Sequence, residues 1–217
     1  MFLRSWFREL GQRCLEVRVN YYELRHEARV LEDHGGYSLM AGQTNPVIVR
    51  ELLLMVEMDL FLPDVVWEPF AGHHGECRSQ DIAKNMGVQL ISQDIKPSDP
   101  RVLCADSTKV GPGTTIGGVV LHPPYYGSKL FSDVEGELSL HGRENDYWAD
   151  LRRVIGLVVD HLVMHGCVAA VCRRYRYGGR EIKMDEKMNE LLTDHGFELE
   201  SVWMSEPDIV LVSRRVR

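Results

Sequence analysis

Val119-Val120-Leu121-His122-Pro123-Pro124-Tyr125-Tyr126-Gly127 is the stretch on which the reading of this chain turns. Its apolar start suits a buried strand. Two consecutive prolines then end that strand, because proline fixes φ and donates no backbone hydrogen bond. The residue before each proline is also driven out of the helical region. The stretch therefore predicts a stiff, extended corner at a strand's C-terminal end, with outward carbonyls and an aromatic ring alongside. In open α/β sheets ligands bind at that end. Acceptors beside a flat ring suit a planar amine such as a nucleobase. Taken alone, the same residues would also make a structural proline turn.

The pattern on either side is an alternation of strands and helices. Upstream, strands are predicted at Val65–Trp67, at 88–93 and at 101–104, with a helix over 76–86. Downstream come a helix over 145–164, a strand at 168–172, a helix over 183–195, and two final strands at 197–203 and 208–213. The last two read as an antiparallel hairpin around Glu206-Pro207. Such alternation predicts an α/β fold with a mainly parallel, doubly wound sheet and right-handed crossovers. Between Asp94 and Asp106 there is no room for a crossover helix. Before the first strand, Asn45 is placed to cap a helix running to Asp59, with Pro46 at its first position. Apolar residues at spacings of three and four predict a further helix over 2–34, ended by Gly35-Gly36. The organisation expected is a helical extension over 1–40 and one domain over 41–217.

With 217 residues, 44% hydrophobic and 26% charged, the chain can bury a sizeable core. No apolar run is long enough to span a bilayer. The start, Met1-Phe2-Leu3-Arg4-Ser5-Trp6, lacks signal-peptide features, and the five cysteines form no C-x-x-C pair. The expectation is a reduced, cytoplasmic protein. A net charge of -7 weighs mildly against nucleic acid, which draws on Lys and Arg. The arginines are nevertheless clustered: six fall within 1–30, Arg173, Arg174, Arg176 and Arg180 interleave with Tyr175 and Tyr177, and the tail ends Arg214-Arg215-Val216-Arg217. The Arg/Tyr cluster follows a strand C-terminus, which favours a phosphate-contacting or substrate-gating loop over a plain surface loop.

Three more polar positions follow strands. Glu68-Pro69-Phe70-Ala71-Gly72 opens a glycine turn before a helix, where a ligand can approach the backbone and meet free N–H groups. Asp94 lies about 20 residues beyond it, the spacing at which a carboxylate accepts from ribose hydroxyls. Asp106 follows the next strand and could accept from an adenine amino group; helix capping or a surface position is the plainer reading of both acids. His73, His74 and Cys77 lack four-ligand spacing, so no metal is expected. Cys104, Cys167 and Cys172 read as buried core thiols, and Tyr147 and Trp148 as core aromatics.

Together these motifs resemble those of the S-adenosylmethionine-dependent amino methyltransferases, which often carry Asp-Pro-Phe-Ala-Gly and then Asp, Asn or Ser before Pro-Pro-Tyr, Phe or Trp. Gly42-Gln43-Thr44-Asn45-Pro46 sits where that family has a further cofactor segment, and the resemblance covers roughly 40–213. It implies a Rossmann-like methyltransferase fold and methyl transfer to an exocyclic amine, adenine N6 or cytosine N4, on DNA rather than RNA. S-adenosylmethionine would be held by Thr44, Asn45, Glu68, Pro69, Phe70, Ala71, Gly72, Asp94 and Asp106. His122, Pro123, Pro124 and Tyr125 would form the catalytic corner, with Tyr126, Lys129, Arg173, Arg174 and Arg176 at the substrate. Three features depart from the pattern. His122 replaces the usual first residue; a neutral imidazole still has one acceptor nitrogen, and protonation would remove it, so activity should fall in acid. His73-His74 is bulky for the glycine turn. No insertion is large enough for a target-recognition domain, so recognition would come from 1–40, from the loops at 126–144 and 173–182, or from a homodimer or partner subunit. A base methyltransferase acting on RNA, and a catalytically idle cofactor-binding subunit, are the competing readings.

Overall fold

The central strands bury side chains on both faces, as expected where helices cover a sheet twice. The computed structural model describes residues 44–59, 61–72, 77–127, 135–205 and 207–217, with the backbone of 29–30. Its elements in chain order are β1 (Arg29–Val30), α1 (Pro46–Met58), β2 (Val65–Glu68), α2 (Arg78–Met86), β3 (Gln89–Asp94), β4 (Leu103–Cys104) and β5 (Ile116–Leu121). A short 3-10 turn at Leu138–Leu140 precedes α3 (Glu144–His161), β6 (Leu162–Cys172), β7 (Arg174–Tyr177), β8 (Arg180–Lys183), α4 (Met184–Asp194), β9 (Phe197–Ser205) and β10 (Asp208–Arg215). Eight strands form one sheet in the order β1-β9-β10-β6-β5-β2-β3-β4. Among the described strands of this sheet, only β10 runs antiparallel to its neighbours, β6 and β9. β7 and β8 make a separate hairpin.

Alternation along the strands sorts the core into two layers. Val119, Leu121, Val168, Ala170 and Leu211 face a cluster with Tyr147, Leu151 and Val154 of α3 and Met188 and Leu192 of α4. Val120, Ala169, Val171, Val210 and Val212 face the other way, against Ile48, Leu52, Leu53 and Val56 of α1 and Ala83 of α2. α1 begins as the sequence predicts: the Asn45 side chain accepts from Val47 N at 3.0 Å and Pro46 occupies the first turn. β3 and β4 are joined without a helix, as the short spacing requires.

Several elements differ from expectation. Arg29–Val30, assigned by periodicity to a helix, form a strand parallel to β9. The strand expected over 101–104 is reduced to Leu103–Cys104, and Cys104 is exposed, because β4 is an edge with little sheet to bury it. The Arg/Tyr segment is a β-hairpin rather than a loop, turning through Gly178 and Gly179. The rest of the expected 1–40 extension, Gly42, Gln43, His73, His74 and Lys129 lie outside the described residues. Among the described residues no helix is long and apolar enough to cross a membrane.

Candidate active site

β2 and β5 are parallel neighbours. From β2 the chain moves outward to β3, and from β5 it moves the opposite way to β6. That divergence is the switch point at which α/β sheets bind ligands beyond their strand C-termini. The turn after β2 lies on one side of it and the corner after β5 on the other.

The turn is held from below. Glu68 is 1% exposed; its carboxylate accepts from Ser79 Oγ at 2.9 Å and Ser92 Oγ at 2.8 Å. It therefore ties α2 to β3 beneath the turn, and burial pushes its pKa up to about 7 against these hydrogen bonds. The Pro69 carbonyl accepts from Ser107 Oγ at 2.5 Å, and Ala71 N donates to Gln93 O at 3.0 Å. Phe70 packs on the core. Gly72 has φ 83°, a conformation that side chains disfavour, and its N–H donates to Asp94 Oδ2 at 3.0 Å. The other Asp94 oxygen accepts from Lys96 N at 2.9 Å. Asp106 Oδ1 accepts from Thr108 N at 2.9 Å and Thr108 Oγ1 at 2.7 Å, and Oδ2 pairs with Lys109 at 2.8 Å. Both acids thus stand at strand ends with part of their acceptor capacity used in shaping their own loops.

The polar side chains of the corner are both hydrogen-bonded. His122 Nδ1 lies 3.2 Å from Thr44 Oγ1, and Nε2 lies 3.2 Å from the Tyr125 hydroxyl. Tyr125 donates in turn to Asp208 Oδ1 at 3.3 Å, and Arg173 pairs with the same oxygen at 2.8 Å. Thr44 is the residue immediately before the α1 cap, Asn45, whose Nδ2 donates to Ser205 Oγ at 2.9 Å. Loss of solvent around His122 lowers its pKa to about 4, with the Asp208 charge opposing and the Arg173 charge reinforcing that shift. The imidazole is neutral at pH 7.

An aromatic array backs the corner. Tyr125 stacks with Tyr175 at 5.7 Å between centroids and 19° between planes. The Tyr175 hydroxyl donates to the Tyr126 carbonyl at 2.8 Å. Tyr177 lies over Gly127, where φ is 63° and a side-chain carbon would come within 2.5 Å of the ring. The hairpin is thereby seated on the segment that follows the prolines.

Of the residues expected at the substrate, Tyr126 turns inward and packs edge-on with Tyr177 and tilted against Tyr147. Arg174 is held by the fully buried Asp185 and by Glu186, with contacts from 2.6 to 3.0 Å. Arg173 belongs to the corner through Asp208, and Arg176 is exposed on β7. Asp208 and Tyr175 are functional candidates that the sequence reading passed over. Asp208 carries no local signal, since it starts a strand 83 residues from the tyrosine it meets. Tyr175 lies within the Arg/Tyr cluster, where the arginines carry the charge signal and the tyrosine has no pattern of its own.

Neither the protein-family models nor the curated proteins compared with the sequence give a match. Similar solved structures include 1,6-didemethyltoxoflavin-N1-methyltransferase from Burkholderia thailandensis with S-adenosylhomocysteine bound, at 15% identity, 80% of each chain and TM-score 0.51. An S-adenosylmethionine-dependent O-methyltransferase from Thermotoga maritima gives 11% identity, 82% of this chain, 68% of the other and TM-score 0.53. TrmN from Thermus thermophilus gives 16% identity and TM-score 0.52, with 81% of this chain spanning half of that one. The fold is the Rossmann-like methyltransferase fold, with the C-terminal antiparallel hairpin expected. Because N- and O-methyltransferases share it, the fold leaves the acceptor atom to the site.

Proposed function

We propose that this chain transfers the methyl group of S-adenosylmethionine to an exocyclic amine of a nucleobase in nucleic acid, adenine N6 or cytosine N4 in DNA. The observation that carries the proposal is the His122-Pro123-Pro124-Tyr125 corner at the β2/β5 switch point, across from the Gly72–Asp94 turn. The cofactor fits that turn: Gly72 lets a ligand close to the backbone, and Asp94 stands at the strand end where ribose hydroxyls are bound in such folds. The S-adenosylhomocysteine in the similar Burkholderia structure supports the same choice. Thr44, Pro69, Phe70, Ala71 and Asp106 complete the group around it. Glu68 would act by bracing the turn, and Asn45 by capping α1.

When bound, the cofactor supplies an electrophilic methyl group on a sulfonium. The chain's own residues do the positioning. Two prolines hold the corner stiff, and the Pro123 carbonyl accepts from the target amine. His122 stands beside that amine as a neutral ring able to take a proton. A flat base extends the aromatic array of Tyr125 and Tyr175. Catalysis is then mostly orientation and placed dipoles, and a duplex target must present its base flipped out. Arg176, with Lys129, is assigned to the nucleic acid, while Arg173 serves the corner through Asp208. The charge of -7 leaves room for a second copy or a partner subunit to supply recognition.

One observation favours a second reading, an idle cofactor-binding subunit: both ring nitrogens of His122 are already bonded within the chain. A single experiment separates the readings. Purified protein is incubated with radiolabelled S-adenosylmethionine and with DNA, tRNA or mixed RNA, and the digested nucleosides are identified. Label on N6-methyladenine or N4-methylcytosine of DNA is expected. Label on RNA alone moves the substrate, and measured cofactor binding without transfer to any of them supports the idle subunit.

A further inference from the structure

We infer that Asp208 sets the tautomer of His122, acting through the Tyr125 hydroxyl, and so decides which ring nitrogen at the corner can accept a proton. The functional use of this device rests on the amine-transfer reading above; the device itself does not.

The direction of the chain follows from donors and acceptors. Asp208 is 8% exposed and paired with Arg173, whose Nε and Nη2 both reach Oδ1 at 2.8 Å. A carboxylate in such a pair only accepts. The Tyr125 hydroxyl, 3.3 Å from that oxygen, therefore donates to it. A phenol has one proton, so its bond to His122 Nε2 at 3.2 Å is one it accepts. The hydrogen of the neutral ring then sits on Nε2. Nδ1 is left bare and accepts from Thr44 Oγ1 at 3.2 Å. Reversing any one bond would put two hydrogens between Tyr125 and its neighbours, or none.

The groups facing this chain come from four elements besides the corner. They are Thr44 before α1, Cys172 at the end of β6 with Arg173 just after it, Tyr175 on β7, and Asp208 at the start of β10. Arg173 is the cation beside the ring and Asp208 the anion, and Arg173 also lies 5.7 Å from the centre of the Tyr125 ring. The ion pair fixes Asp208 while Asp208 fixes the tyrosine. Asp208 and Arg173 are thus positioning residues, and Thr44 is the group that stands at the accepting nitrogen. An amine proton bound for His122 has to reach Nδ1, at or through the Thr44 hydroxyl, because Nε2 already carries hydrogen.

The test is long-range proton–nitrogen NMR of the histidine rings in the full chain at neutral pH, without cofactor, with His122 assigned by its loss in His122→Asn. The wild type is expected to show the Nε2–H tautomer. Asp208→Ala should abolish that preference, because Tyr125 is then free to donate to Nε2, whereas Asp208→Asn keeps an acceptor oxygen and should restore it. If Asp208→Ala does not fold, Tyr125→Phe removes the same hydroxyl with the Asp208–Arg173 pair in place and should also lose the preference. An Nδ1–H ring in the wild type, or an Nε2–H ring unmoved by losing either the carboxylate or the hydroxyl, would overturn the inference. The ring is observed without methyl transfer, so a failure here and a failure of the proposed reaction are told apart.

Discussion

His122 meets acid later than its residue type implies. An ordinary imidazole titrates near 6.5, but loss of solvent lowers this one to about 4. A histidine pKa depressed by folding stabilises the fold fully above the unfolded value, and that contribution is lost as pH falls through the folded value. The sensitive window is therefore about pH 6.5 to 4. For activity the loss of the acceptor nitrogen belongs to the lower end of that window. A methyl-transfer rate measured across it should hold to about pH 5 and fall toward pH 4, with no limb centred near 6.5. His122→Asn cannot titrate and should flatten that acid limb at a lower absolute rate. A wild-type midpoint near 6.5 would show that the ring is solvated as in an open peptide. The sequence marked His122 as the unusual residue of its motif, but the two hydroxyls that bond it are 78 residues upstream and three downstream, and only the fold brings the first of them near.

The β7–β8 hairpin is the element that differs most from its sequence reading. Interleaved Arg and Tyr suggest a basic loop, yet strand alternation divides their tasks. Arg174 on β7 pairs with Asp185 in the first turn of α4, and Tyr175 and Tyr177 reach back to the corner. Asp185 is fully buried, so removing it strips the half-buried Arg174 of a bidentate partner while Glu186 stays at 2.6 Å. Breaking such a pair costs about 3–5 kcal/mol. Asp185→Ala is expected to lower the chemical-denaturation midpoint by an amount in that range. Its effect should exceed that of Asp194→Ala, whose ion pair with Arg152 is exposed on both sides and worth roughly 0–1 kcal/mol. Equal effects would mean that α4 and the hairpin are not coupled through Arg174. The hairpin was hard to read because its strands are four residues each and half exposed, which leaves little hydrophobic pattern.

At the scale of the molecule, Glu68 is buried beneath the glycine turn, where it joins α2 to β3. Its pKa rises from 4.5 in the unfolded chain to about 7, so the folded state holds the proton more tightly. The stability contributed is fully present below about pH 4.5 and lost as pH rises through about 7, the opposite sign from His122. Glu68→Gln keeps the shape, cannot ionise, and should remove this slope from denaturation midpoints measured between pH 4.5 and 7. An unchanged slope would place the titration elsewhere. The alternating strands, the Asn45-Pro46 helix start, the glycine turn and the proline corner were all legible, because each depends on backbone geometry within a few residues. The edge pairing of Arg29–Val30 with β9 was not, since a two-residue strand has no period of its own. Nor was Asp208: a hairpin at the end of the chain was expected, but not that β10 would insert between β6 and β9. Running antiparallel there, β10 starts where β6 ends, with Ile209 opposite Cys172, and so delivers a carboxylate to the strand ends that carry the site. The sequence by itself determined the strand–helix order and the stiff corner, through local sterics and periodicity. Only the tertiary structure decided which distant hydroxyl, carboxylate and guanidinium close around that corner, because strand insertion is settled by long-range burial.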